Sequence, residues 1–191
     1  DVDTPASVTV VEPLLTISTS ADDVTPHLGQ TVTYTVDIAH DAGSTATAFD
    51  LLIDDLLNDP GFSLVPGSVV TTLSGGSAGV VGVASGNGVS DSDIAVTLSQ
   101  LETGETLRIT YDALVTANPT THPLGSDIDN TVTLNYDTRS GDVAGERDLG
   151  VDASEQLTIV GPDLEISKDD GATFLVPGTS TTYTVEITNN G

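Results

Sequence analysis

The sequence contains no cysteine, methionine or tryptophan, and only four of its residues are basic. Without cysteine there is no disulfide framework, thiol nucleophile or thiolate metal site. Aromatic residues make up 4% of the chain, which leaves little for the stacking surfaces that carbohydrate readers use. No apolar run approaches the roughly 20 residues that a membrane-spanning helix requires, so direct membrane insertion is not expected. The four bases, Arg108, Arg139, Arg147 and Lys168, face 29 acids, 22 of them Asp, for a formal net charge of −25. A field of that sign repels nucleic acid and anionic membranes, so neither is an expected partner. It favours cations, solubility in salt and resistance to aggregation. High net charge can also mean disorder, but 37% of the residues are apolar, and they alternate regularly along the chain.

The sequence repeats itself. At an offset of 149 positions, 14 of the 42 overlapping residues are identical without a gap. Pro13 falls on Pro162, Leu15 on Leu164, Ile17-Ser18 on Ile166-Ser167, Gly29 on Gly178, and Thr33-Tyr-Thr-Val on Thr182-Tyr-Thr-Val. Upstream, Val2-Asp3, Thr9 and Val11 pair with Val151-Asp152, Thr158 and Val160. A fixed period of this kind marks a tandem array. Residues 1–12 then read as the closing strand of a preceding repeat (Ser7–Val11), residues 13–160 as one complete repeat, and residues 161–191 as the first strands of the next. Proline at each joint fits a unit boundary, since it cannot donate to a sheet ladder.

Within the complete repeat the dominant period is two. Thr31 to His40 alternates Val32, Tyr34, Val36 and Ile38 with threonines and Asp37, the pattern of a strand with one buried and one wet face. Similar faces follow at Phe49-Leu51-Ile53, Ile94-Val96-Leu98, Leu107-Ile109-Tyr111-Ala113-Val115, Val132-Leu134-Tyr136 and Leu157-Ile159. Val65 to Leu73 reads as one short edge strand, and Asp54 to Gly61 has room for one helical turn before Pro60-Gly61 stops it. Six glycines in the 17 residues from Ser74 to Ser90 suggest a weak strand ending at Asn87-Gly88, a hairpin-type turn. About nine strands without helical periodicity give an all-β sandwich, and units placed end to end give a rod.

Chemistry-bearing patterns are weak. The Gly-rich segment lacks the Gly-Lys-Ser/Thr of a phosphate loop. Gly75-Gly-Ser77-Ala-Gly79 matches the nucleophile-elbow string, but more glycines follow where a helix must begin. His27, His40 and His122 show no ligand spacing and read as surface histidines. No enzyme is expected. Calcium is the cofactor to weigh, because hard cations take Asp, Asn and carbonyl oxygens from loops. The candidate ligands are Asp22 and Asp23, Asp91 and Asp93, and Asp127 and Asp129, although none forms the Asp-x-Asp-x-Asp-Gly loop.

The segments Leu164-Glu-Ile-Ser-Lys and Val176-Pro-Gly-Thr-Ser-Thr-Thr-Tyr-Thr-Val-Glu-Ile-Thr-Asn-Asn-Gly191 resemble the opening of the conserved repeat domain (domain of unknown function eleven) of bacterial and archaeal surface proteins. Leu64-Val-Pro-Gly-Ser-Val, Gly104-Glu-Thr-Leu-Arg-Ile-Thr-Tyr and Asp129-Asn-Thr-Val-Thr-Leu are similar landmarks downstream. The resemblance implies immunoglobulin-like sandwiches strung in long secreted or wall-anchored proteins, often adhesins or filament components, with no enzyme activity. Some related surface domains are locked by a Lys–Asn isopeptide bond promoted by an acid. Here Asn130 and either Asp54 or Asp55 match two of those parts, but Thr19 stands where Lys168 does in the next copy, so the complete unit cannot make the bond. The expected role is a stalk or fibre repeat of an extracellular surface protein, with neighbouring repeats of the same chain as partners. The alternatives are a self-associating filament subunit that exchanges strands, or a carbohydrate- or protein-binding adhesion module using residues 74–90 or 118–127.

Overall fold

A computed structural model of the chain describes residues 10–57, 59–118 and 120–191. The expected closing strand at Ser7–Val11 lies mostly outside them, and Val10 and Val11 are not in a strand. Among the described residues, two five-stranded sheets, antiparallel throughout, make up a sandwich over residues 15–158, called the unit below. In the first, β1 (Leu15–Ala21) pairs β2 (Thr31–His40), and β2 pairs β8 (Thr106–Val115). Both β4 (Phe62–Leu64) and β5 (Val70–Ser74) add to the far edge of β8. The second sheet runs β10 (Asp148–Thr158), β9 (Asp127–Asp137), β3 (Ala48–Asp55), β7 (Ile94–Leu101) and β6 (Val81–Ser85). A separate hairpin, β11 (Leu164–Asp169) with β12 (Thr184–Asn189), follows the unit.

The alternation along β2 explains the core. Val32, Tyr34, Val36 and Ile38 are buried, and their β8 partners Ala113, Tyr111, Ile109 and Leu107 are buried with them. The two tyrosine rings stack at 5.4 Å, and Phe62 meets Tyr34 edge-on at 5.8 Å. Ile128, Val132, Leu134 and Tyr136 of β9 close the core from the second sheet. Each fully buried large apolar side chain contributes about 1.5–3 kcal/mol, so a single such core holds the unit without staples.

Several sequence expectations need correction. Phe49 does not share the face of Leu51 and Ile53: the register with β9 slips between Phe49 and Leu52, Asp50 takes a left-handed φ of 49°, and Ala48 fills the inward place. One extra residue in a strand re-aims every side chain before it. Among the described residues after Asp55 no helix is assigned, and Leu57 itself is left-handed (φ 43°). Of the expected strand from Val65 to Leu73 only Val70 to Leu73 is strand, within β5; Val65 to Val69 is a turn that follows β4, in which Ser68 Oγ donates to Val65 O at 2.7 Å. The last strand begins nine residues before Leu157, at Asp148.

The hairpin β11–β12 reproduces β1–β2. Leu15 pairs His40, Ile17 pairs Ile38 and Thr19 pairs Val36; 149 positions on, Leu164 pairs Asn189, Ile166 pairs Ile187 and Lys168 pairs Val185. The closing hydrogen bond is also repeated, from Asp41 N to Leu14 O at 2.8 Å and from Asn190 N to Asp163 O at 2.7 Å.

Candidate functional site

Two places stand out: a polar cluster inside the sandwich, and the joint where the unit runs into the hairpin. The cluster begins with a break in the alternation. On β9 the inward row is Ile128, Asn130, Val132, Leu134 and Tyr136, and on β3 it is Leu51, Ile53 and Asp55, so each strand turns one polar residue into the core. Tyr111 O–H donates to Asp55 Oδ2. Asn130 Nδ2 donates to the same oxygen and to the Tyr111 hydroxyl, both at 2.8 Å, while Leu57 N donates to Asp55 Oδ1 at 3.0 Å. Burial pushes the Asp55 carboxyl above the usual carboxylate range, against the pull of these donors. Burial and the nearby Asp55 likewise push the Tyr111 phenol up, and burial does the same to Tyr34. Asp54 faces outward, where partial burial and then Asp93 raise it.

Of the two acids considered as partners for Asn130, Asp55 is therefore the one that meets it. Thr19 points inward from β1, and its Oγ1 is buried without a hydrogen-bond partner. Lys168, the one lysine in the chain, lies in the exposed hairpin with its Nζ 4.1 Å from the centre of the Tyr183 ring. The cluster thus contains a carboxyl, an amide and one phenol, with the unpartnered Tyr34 hydroxyl also buried, but no amine that could condense with them.

The six Asp residues considered for calcium fall in three separate places, each already engaged. Asp22 Oδ1 accepts from Thr33 N at 2.8 Å, and Asp23 accepts from Thr25 N and Gln30 Nε2 at 2.8 and 2.7 Å. Asp91 Oδ2 accepts from Gly86 N and Gly88 N, both at 2.7 Å, and Asp93 from Ser85 Oγ at 3.1 Å. Asp127 accepts from Thr158 Oγ1 and Asp129 from Gln156 Nε2, each at 2.8 Å across the β9–β10 ladder. The backbone N–H groups of Thr25 and then the Gln30 amide hold Asp23 low, and those of Gly86 and Gly88 hold Asp91 low. Among the described residues no three His, Cys, Asp or Glu side chains converge on a metal position. Saturating calcium against a chelator should therefore leave the thermal transition unmoved; a rise of several degrees would mean that an ion displaces these internal donors.

The remaining motifs resolve into turns and braces. Ser77 lies in the loop between the edge strands β5 and β6 rather than in a strand-to-helix elbow. The glycines flanking it are steric: a Cβ at Gly75 would lie 2.2 Å from Gly104 O, and one at Gly79 2.2 Å from Gln100 O. The histidines are not all surface residues. His40 bridges Ser44 Oγ at 2.6 Å and Leu101 O at 2.9 Å, and His122, with 11% of its side chain exposed, meets Asp59 Oδ1 at 3.0 Å. Tyr34, Tyr111, Tyr136 and Phe62 all belong to the core, which removes them from any aromatic binding platform.

At the joint, two loops clasp the outgoing chain. Thr158 N donates to Val24 O at 2.9 Å, Val160 N to Pro26 O at 3.1 Å, and Gly125 N to Ile159 O at 2.8 Å. His27 Nδ1 lies 3.1 Å from Val160 O, and His27 and Val160 form an isolated bridge. Leu124 packs over Gly161 so closely that a Cβ there would lie 2.9 Å from Leu124 Cδ2. Leu124, Gly125, Asp163, Asn190 and Gly191 line one small cleft of about 230 Å³ between the unit and the base of the hairpin.

No protein-family model matches the chain, and no curated protein matches it. Solved structures do. The fold is similar to BcpA, the major pilin subunit of Bacillus cereus, with a TM-score of 0.56 at 12% identity over 93% of this chain and 56% of that one. It is similar to a C-terminal fragment of the major pilin GBS80 of Streptococcus agalactiae, with a TM-score of 0.56 at 13% identity over 84% and 60%. It is also similar to the full-length major pilin SpaD of Corynebacterium diphtheriae, with a TM-score of 0.51 at 12% identity over 91% and 48%. The chain spans about half the length of the structures it matches. The shared feature is the fold, an all-β immunoglobulin-like sandwich. No helix among the described residues is long and apolar enough to cross a membrane.

Proposed function

We propose that this chain is a non-catalytic structural module of a long extracellular surface protein, one bead in a string of sandwiches of the conserved-repeat type that resist pulling and hold something away from the cell. The observation that supports this reading is that β11–β12 has the register and the closing hydrogen bond of β1–β2 at the 149-residue offset. The boundaries that follow are 1–12, 13–160 and 161–191. The fold-level likeness to major pilins supports the same role, and so does a surface of small polar and acidic residues, suited to staying solvated. Labelling intact cells with an antibody against the complete unit tests it. Surface staining that is lost after brief protease treatment of whole cells is expected; staining that appears only after the cells are opened would overturn it.

A second reading, a self-associating filament subunit, rests on the hairpin, where Leu164, Ile166, Val185 and Ile187 are all exposed. A two-stranded sheet cannot bury an apolar face by itself, so a strand from another chain would complete it. Sedimentation that stays monomeric across the accessible concentration range would remove this reading and leave the first intact.

A further inference from the structure

The base of the complete unit carries a groove that the far end of the same molecule explains. The groove is shallow, about 610 Å³, and is lined by Val10, Glu12, Pro13, Leu14, Thr45 and Arg147 among others. Two of its apolar lining residues, Val10 and Leu14, are 76% and 50% exposed, and the adjoining Val11 is 58% exposed, an unusual grouping on a surface this acidic. The offset of 149 maps Val160, Gly161 and Asp163 of the clasped joint onto Val11, Glu12 and Leu14. The backbone frame is the same in both places, with the Asn190–Asp163 bond matching the Asp41–Leu14 bond. At the joint that frame is covered by Leu124 and Gly125 from the head of the unit. At the base it is open.

We propose that this groove is the seat for the head of a second copy of this unit placed before it, whose own Ile159 and Val160 stand where Val10 and Val11 stand here and stay clasped by that copy's loops bearing Val24 to Leu28 and Leu124. The proposal rests on the tandem reading and adds to it that the joints are docked and stiff. The two surfaces are complementary: Val24, Leu28 and Leu124 on the head are about half exposed, as is Leu14 on the base. Glu12 replaces Gly161, so a leucine tip has to rotate on docking, which a flexible side chain does readily. Arg147 makes the room, since its Nη1 draws the Glu12 carboxylate aside at 2.5 and 2.7 Å. Interfaces between domains of one chain are commonly of this modest, mixed kind.

The absence of cysteine makes a clean test possible. The full chain is lengthened by one unit, residues 1–160 followed directly by 12–191, and carries one spin label in each copy at Thr97→Cys, an exposed position on β7. Docked units give a single distance peak no wider than that of two labels within one unit. Leu124→Asp in the first copy, or Leu14→Asp in the second, broadens it while each unit melts as before. A broad peak without substitution, or a narrow one that neither substitution alters, overturns the proposal. Free joints in a protein that cell labelling places on the surface would leave the string standing with flexible links. Docked joints in a protein absent from the surface would remove the function but not the contact.

Discussion

Replacing Asp55 with alanine is expected to destabilise the unit by about 3–5 kcal/mol, because it strands Tyr111 O–H, Asn130 Nδ2 and Leu57 N in the core at about 1–3 kcal/mol for each unsatisfied group. In a domain of this size that lowers the melting temperature by about 10 °C or more. Asp55→Asn should cost far less. The new amide can donate where the carboxylate accepted, provided that Asn130 flips to present Oδ1, which has no partner in the native cluster. Equal losses for the two variants in thermal unfolding would show that side-chain volume, not hydrogen bonding, holds this place together.

The same carboxyl sets the direction of the pH response. Asp55 is raised by burial, and Asp137 by its small burial and then by Asp148, Glu146, Asp50 and Asp142. A raised carboxyl contributes stability that is fully present below its unfolded value of about 3.9 and is lost as pH climbs through the folded value. Asp23 and Asp91 are lowered by backbone donors, so their contribution is present above the ordinary carboxylate value and disappears as pH falls through their folded values. Stability should therefore rise as pH is brought down through the raised folded value of Asp55 and fall once pH drops below the ordinary carboxylate range. Asp55→Asn should flatten the rising part, and added salt should raise stability at the alkaline end by screening the net charge of −25.

The second large effect is expected in the Gly-rich segment. Gly75 has φ +84° and no space for a Cβ against Gly104 O, and Gly79 is equally close to Gln100 O. Both neighbours are main chain and cannot rotate away. Gly75→Ala and Gly79→Ala should each cost about 3 kcal/mol, combining left-handed strain at the first with displaced backbone at both. Gly104→Ala is the control: its φ is +91°, but nothing lies within 4 Å of the added carbon, so only the conformational cost of about 1–2 kcal/mol applies. If Gly75→Ala and Gly104→Ala unfold alike in denaturant, the glycines serve chain flexibility rather than close approach.

This contrast shows which features were legible in the sequence. β2 could be read to the residue, because a strand with one fully buried and one wet face shows its period undiluted. β10 was half hidden: at the sheet edge, Leu149, Val151, Ala153 and Glu155 face inward only half buried, so weakly apolar residues suffice and the alternation fades. The bulge at Asp50 left no signal, since a left-handed Asp looks like any other acid. The buried cluster was partly legible. Asn130 and the pair Asp54 or Asp55 came into view only through the resemblance, which left the choice of acid open, and Tyr111 reads as one more apolar residue on β8. Its hydroxyl meets Asp55 across 56 residues of chain, a pairing set by how the two sheets stack rather than by local spacing. The clasp at the joint was invisible for the same reason, because Leu124 and Gly161 come together only through the fold.

If the chain belongs to a string of equal, independently folded beads, pulling such a string by its ends with an atomic force microscope unfolds one bead at a time. Each 149-residue period extends to about 500 Å at roughly 3.3–3.6 Å per residue, whereas the longest strands, of 11 residues, rise only about 36 Å at about 3.3 Å per residue. The expected trace is a sawtooth of evenly spaced ruptures, each releasing about 450–500 Å. A single rupture, or steps with no common length, would contradict it.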